Sequence, residues 1–146
     1  MMRAAVKISL SLLVGAALIL PALAETDQEV AAREQALDLA GAFANDGFKL
    51  RDGHWSGSFA PRKKKLFAVN LYAGNQYWFS VGATATGKHL TVELFDETGA
   101  PLPADKFHAD GKAAAGLSVA NSGQFFVRVG LESDSPAGVC FVYSYQ

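Results

Sequence analysis

The sequence predicts a mainly β protein: an antiparallel β-sandwich with one N-terminal α-helix after a cleaved signal peptide. Three observations predict it. The first 24 residues have the order of a secretory signal, the next stretch has helical periodicity, and everything beyond Gly47 alternates apolar and polar residues between turn signals.

The leader comes first. Met1 to Lys7 carries Arg3 and Lys7, Ile8 to Leu20 is apolar apart from Ser9 and Ser11, and Ala22-Leu23-Ala24 puts small residues where a signal peptidase reads. The run is too short for a membrane span and is followed by Glu25, Asp27 and Glu29. No Cys stands at the cleavage point, so no lipid anchor is expected. Residues 1–24 are therefore expected to be removed, leaving no integral span in the mature chain and a periplasmic or secreted location.

The remaining 122 residues suit one domain with one core. Without Arg3 and Lys7 the chain holds 11 basic and 14 acidic residues, a formal charge of −3, which offers no general attraction to nucleic acid. Cys140 is the lone cysteine, so no internal disulfide is available; Val139, Phe141 and Val142 around it predict a buried, unreactive thiol.

Within the mature chain, residues 25–47 read as a helical segment and residues 48–146 as the sandwich. Thr26-Asp27-Gln28-Glu29 has capping-box spacing, and Val30, Leu37, Ala40, Gly41 and Ala44 share one helical face, with Ala36 and Phe43 beside them. A helix over Asp27 to Asn45, closed by Gly47, is predicted; being Ala-rich, it needs the following domain to lean on. Alternation then marks strands at Phe67-Val69-Leu71, Tyr77-Phe79-Val81, Leu90-Val92-Leu94, Phe125-Val127-Val129 and Val139 to Tyr145. Weaker strand signals lie at 48–51, 55–59 and 113–119.

Three stretches carry a family resemblance: Leu71-Tyr72-Ala73-Gly74-Asn75-Gln76-Tyr77-Trp78-Phe79-Ser80-Val81, Leu90-Thr91-Val92-Glu93-Leu94-Phe95-Asp96-Glu97-Thr98-Gly99, and Ser122-Gly123-Gln124-Phe125-Phe126-Val127-Arg128-Val129. Together they resemble the core signatures of the bacterial pre-peptidase C-terminal domain, over roughly Trp55 to Tyr145. The resemblance implies a small jelly-roll-like sandwich and, because no catalytic domain accompanies it, a stand-alone exported form with no defined reaction. Some members bind calcium; here Asp96 and Glu97 sit in a hairpin turn that favours Asp for its own hydrogen bonding, and no metal or other cofactor is expected.

Candidate chemistry is sparse. Gly82 to His89 approaches a phosphate-binding loop but ends in His89 rather than a hydroxyl, and a strand pattern follows where that loop needs a helix. His54, His89 and His108 show no zinc-ligand spacing and are expected at the surface. Gly53-His54-Trp55-Ser56-Gly57 lacks the spacing of a nucleophile elbow. No catalytic residue is assigned.

Two features suit binding. Arg62-Lys63-Lys64-Lys65 concentrates cations before a strand beginning at Leu66, as an anionic envelope surface would require. Alternation points Trp78 and Phe126 outward from the core, where they offer contact area unless the helix covers them. The expectation is a non-catalytic module for a cell-envelope protein or glycan, with Arg62, Lys63, Lys64, Lys65, Trp78 and Phe126 as candidate contacts. The alternative is a small periplasmic hydrolase or metal-dependent enzyme in which histidines and carboxylates converge.

Overall fold

The computed structural model describes residues 25–84 and 89–146. The leader, residues 1–24, and the middle of the phosphate-loop-like segment, residues 85–88, lie outside the described residues.

Helix α1 (Asp27–Asn45) covers the span read from the sequence. Thr26 caps it: its Oγ1 accepts a hydrogen bond from the Glu29 N–H at 3.2 Å, satisfying an otherwise orphaned amide. Asp27 and Glu29 place negative charge at the positive end of the helix dipole. Asp46 ends the helix, and Gly47 at φ +97° makes the left-handed step that turns the chain.

Among the described residues, six strands form one antiparallel sheet: β1 (Lys49–Leu50), β2 (Trp55–Phe59), β4 (Gln76–Ala83), β7 (Asp105–Ala109), β8 (Lys112–Ser118) and β10 (Ala137–Tyr145). Four form the other: β3 (Lys64–Leu71), β5 (Leu90–Phe95), β6 (Pro101–Leu102) and β9 (Gly123–Leu131). The first sheet runs β7-β8-β4-β10, with β2 and β1 sharing the far edge of β10; the second runs β3-β9-β5-β6. The chain changes sheet at most of its turns, which gives the jelly-roll-like sandwich.

The inner faces supply the core. Phe59, Leu71, Phe79, Val81, Val92, Val127, Val129 and Val139 are buried, and Phe67 of one sheet stacks on Phe141 of the other at 4.7 Å between ring centroids. Tyr77 is buried too, and its hydroxyl accepts hydrogen bonds from the Tyr72 N–H at 2.9 Å and Asn75 Nδ2 at 3.1 Å, pinning the turn between β3 and β4.

Three details depart from the sequence reading. The strands β6 and β7 carry no clear alternation, because β7 is an edge whose residues are all exposed, so His108 lies in a strand rather than a loop. The strand expected from Leu66 begins at Lys64. The buried face of α1 is also rotated from the expected one: Ala32, Ala36, Leu39 and Ala40 are buried, while Leu37 is 40% exposed and Gly41 and Ala44 face solvent.

Close approach explains that rotation. The helix lies on the outer face of β4 and β10, where a Cβ added at Gly82 would collide with the Ala32 carbonyl and stand 2.5 Å from the Ala36 nitrogen. At Gly138 it would stand 2.5 Å from the Gln28 carbonyl oxygen. Only small side chains fit between backbones this close, so Ala32, Ala36 and Ala40 pack on Cys140 and Val142. Burial pushes the Cys140 thiol pKa up, which suits an inert packing residue.

The helix entry is pinned by Glu25, whose carboxylate accepts a hydrogen bond from His54 Nε2 at 3.0 Å and pairs with Arg33. The His54 bond, with help from Arg33, holds that carboxyl below its ordinary pKa. A depressed carboxylate pKa contributes stability at neutral pH that fades as pH falls through the lowered value.

Gly82→Ala is expected to destabilise the protein by about 1 to 3 kcal/mol through overpacking under the helix. Thiol labelling locates the damage: Cys140 of the variant should react faster than in the parent under native conditions, and an unchanged rate would show that α1 still seals it.

Candidate binding surface

The two outward aromatics belong to different sheets. Trp78 lies on β4, beneath α1, and its ring stacks on Phe43 at 4.3 Å with 8° between planes. Gly116 across the strand leaves room for that ring, since a Cβ there would stand 3.0 Å from it. Phe126 lies on β9, on the outer face of the four-stranded sheet, far from the helix face and half-buried between Ala68 of β3 and Phe95 of β5. The helix therefore covers Trp78 and leaves Phe126.

Strand alternation likewise divides the basic run. Lys63 Nζ lies 5.7 Å from the Phe59 ring centroid, and Lys65 Nζ lies 5.1 Å from Trp55 and 5.6 Å from Phe67. These two lysines cover aromatic rings at the seam of the sheets, a cation–π arrangement of about 0.5 to 1 kcal/mol each. Arg62 and Lys64 instead line an open groove of about 730 Å³, together with His89, Thr91, Glu132 and Asp134.

Arg62 occupies a left-handed conformation, φ +59°, and among the described residues no other non-glycine does so. The cause is the turn Ala60-Pro61-Arg62-Lys63, closed by the Lys63 N–H to the Ala60 carbonyl at 3.2 Å. Proline suits its second position, and the third takes positive φ, where glycine or asparagine is favoured. The Arg62 side chain stands 79% exposed, with Asp134 at 3.4 Å as a loose partner.

From this groove the outer face continues along the sheet. Leu66, 56% exposed, sits beside Arg128, and Ala68 sits beside Phe126. Arg128 pairs with Glu93, its Nε 2.7 Å from Oε2, and its guanidinium lies 4.7 Å from the Phe95 ring centroid. The result is a surface with Arg62 and Lys64 among the carboxylates of Glu132 and Asp134 at one end, an internally neutralised ion pair in the middle and aromatic rings at the other. Leu66 and Phe95 went unremarked in the sequence, where they read as one more strand start and one more strand end; the Pro61-Arg62 pair was the available signal for the strained turn.

The histidines divide as well. His54 is tied to Glu25, whereas His89 and His108 line one shallow hollow with Asp110 and Lys112. Among the described residues no group of three or more His, Cys, Asp or Glu side chains is disposed to hold a metal ion. Asp96 serves its own hairpin: Oδ1 accepts from Thr98 Oγ1 at 2.6 Å, the Thr98 N–H at 2.9 Å and the Ala100 N–H at 3.0 Å. Those bonds, Thr98 first, hold its carboxyl below the ordinary range. No helix among the described residues is long and apolar enough to cross a membrane.

No family model matches the chain, and no curated protein matches it. Among solved structures it is similar to PliG of Aeromonas hydrophila, a periplasmic lysozyme inhibitor of g-type lysozyme, with 14% identity and a TM-score of 0.46 over 64% of this chain and 85% of that one. It is also similar to the lipase BlEst2 of Bacillus licheniformis in propeptide form, with 13% identity and a TM-score of 0.43 over 63% of this chain. This chain spans 21% of the length of that lipase.

Proposed function

We propose that the protein is an exported, non-catalytic binding module, a stand-alone sandwich of the pre-peptidase C-terminal type. Its partner is a protein or glycan of the cell envelope, held on the outer face of the four-stranded sheet. Arg62 and Lys64 attract the partner and Leu66 and Phe126 provide contact area. The observation that carries this reading is Arg62, a long cationic side chain kept at a backbone position where glycine would be unstrained, at the mouth of an open groove. Strain retained at an exposed position supports a role outside folding.

A second reading, a small hydrolase, is favoured by the meeting of His89, His108 and Asp110 in one hollow. Hydrolysis of envelope peptide or glycan that survives Arg62→Gly and is lost in His89→Ala would support it.

The binding reading predicts opposite effects on stability and retention. Arg62→Gly should raise the unfolding free energy by up to about 1 kcal/mol, because left-handed strain of about 1 to 2 kcal/mol is partly offset by the entropy of glycine. The same variant, immobilised, should retain less material from periplasmic extract. Retention equal to the parent's by both Arg62→Gly and Phe126→Ala, with both folded, overturns the reading.

Charge and contact area should separate with salt. Lys64→Ala is expected to weaken retention about fivefold at low ionic strength and little at high, as for a screened surface charge. Phe126→Ala should weaken it about tenfold at both. Trp78→Ala should instead cost up to about 3 kcal/mol of stability, read by denaturant titration, and leave retention by the folded protein unchanged.

A further inference from the structure

We propose that the open edge of β3 is a strand-addition site for an extended polypeptide whose acidic C-terminal end lies against Arg62 and Lys64. This rests on the binding reading above and names the class of partner.

The main-chain geometry carries it. The pairing of β3 with β9 is unbroken from Lys64 opposite Gly130 to Leu71 opposite Gly123. One residue earlier in the same register, the Leu131 N–H donates to the Lys63 carbonyl at 3.3 Å. In an antiparallel ladder the N–H and C=O of one residue point the same way and alternate along the strand. Lys63, Lys65, Phe67, Val69 and Leu71 thus spend their main-chain groups on β9. The even-numbered residues of β9 turn to β5, as the Glu132 N–H to the His89 carbonyl at 2.9 Å begins. What remains is the N–H and C=O of Lys64, Leu66, Ala68 and Asn70, directed out of the sheet, and all four residues are exposed.

The opposite edge of this sheet is treated differently. On β5 the same alternation sends the Val92 carbonyl outward, and Lys106 Nζ, from β7, donates to it. Partial burial of its side chain holds that ammonium below its ordinary pKa. Proteins block sheet edges with charges, prolines and bulges. Here β3, eight residues without proline or bulge, lacks such a block along Leu66 to Asn70 among the described residues, whereas the edge strands β2 and β7 are five residues long.

A polypeptide fits this edge because its backbone repeats donors and acceptors at the spacing the edge displays; a glycan has no such repeat. Every strand pair of the sheet is antiparallel. An antiparallel addition brings the C-terminal end of the partner to Lys64 and the exposed Arg62 guanidinium, the two cations of the run that do not lie on aromatic rings. Acidic groups at that end complement both, displacing Asp134 from its loose contact with Arg62. Partner side chains on the outer face then meet Leu66.

The test uses soluble random octapeptides in two pools, one ending in Asp-Asp and one in Lys-Lys, with hydrolysed peptidoglycan glycan strands as a third probe. The protein should bind the Asp-Asp pool at least about tenfold better than either other probe. Ala68→Pro removes only an edge-facing N–H, a place where edge strands tolerate proline, and should lower that binding about tenfold with little change in Tm. Hydrogen exchange on the unmutated protein tests the same point without a variant: the Asp-Asp pool should newly protect the Leu66, Ala68 and Asn70 amides.

Equal binding of both pools, preference for the glycan, unprotected edge amides, or full binding by folded Ala68→Pro each overturns strand addition. If envelope retention still falls in Arg62→Gly and Phe126→Ala, the binding face stands with a different ligand. If those variants also retain normally, both readings fall.

Discussion

The contact on which the arrangement depends is the seating of α1 on β4 and β10 at Gly82 and Gly138. Two missing Cβ atoms let the helix backbone come down onto the sheet, and this spacing selects Ala32, Ala36 and Ala40 as the interface. Small side chains bury little apolar area each, at about 25 cal/mol per Å². The interface also encloses the Ser80 and Ser144 hydroxyls, which have no hydrogen-bond partner among the described residues and cost about 1 to 3 kcal/mol apiece when unsatisfied. Docking therefore relies on close dispersion contact and on its two ends: Glu25 on His54 at one, Phe43 on Trp78 at the other. Once this sheet is covered, the outer face of the other sheet is the broad β surface left to solvent.

Alternation then decides what that surface contains. Four consecutive cations look like one patch in a linear sequence, but entry into β3 sends Lys65 to the rings of Trp55 and Phe67 and Lys64 to the groove. The turn before it, held by Pro61, forces Arg62 into a left-handed conformation beside Lys64. Lysines at the seam stabilise the fold through their ring contacts, whereas Arg62 in the groove has only a loose contact with Asp134. Neutralisation of Arg128 by Glu93 leaves the centre of the face without strong net charge, so its character there comes from Leu66, Ala68 and Phe126.

Much of the fold was legible because local chemistry sufficed for it. Thr26 and Gly47 mark the ends of α1 by hydrogen bonding and backbone freedom alone, and the alternation of Phe67, Tyr77, Leu90 and Phe125 is imposed by a core on one side of each strand. Legibility failed where distant segments decide. The helix face was misread because Leu37 is larger than Ala36, and nothing local reveals that Gly82 and Gly138 demand small partners. Strand β7 was hidden because an edge exposed throughout has no reason to alternate. Trp78 and Phe126, equivalent in local pattern, were separated only by the sheet to which each strand belongs.

The bond from Lys106 to the Val92 carbonyl bears on assembly size. Head-to-tail growth through the four-stranded sheet would require β3 of one molecule to pair with the far edge of the next, made by β6 and the part of β5 that β6 leaves unpaired, a heterologous contact that repeats without closing and builds fibres. The ammonium occupies an acceptor that such a contact needs, and displacing it would cost that bond. With strand addition at β3 as proposed, the sheet has one extendable side and one side obstructed at Val92, an asymmetry that disfavours unlimited growth.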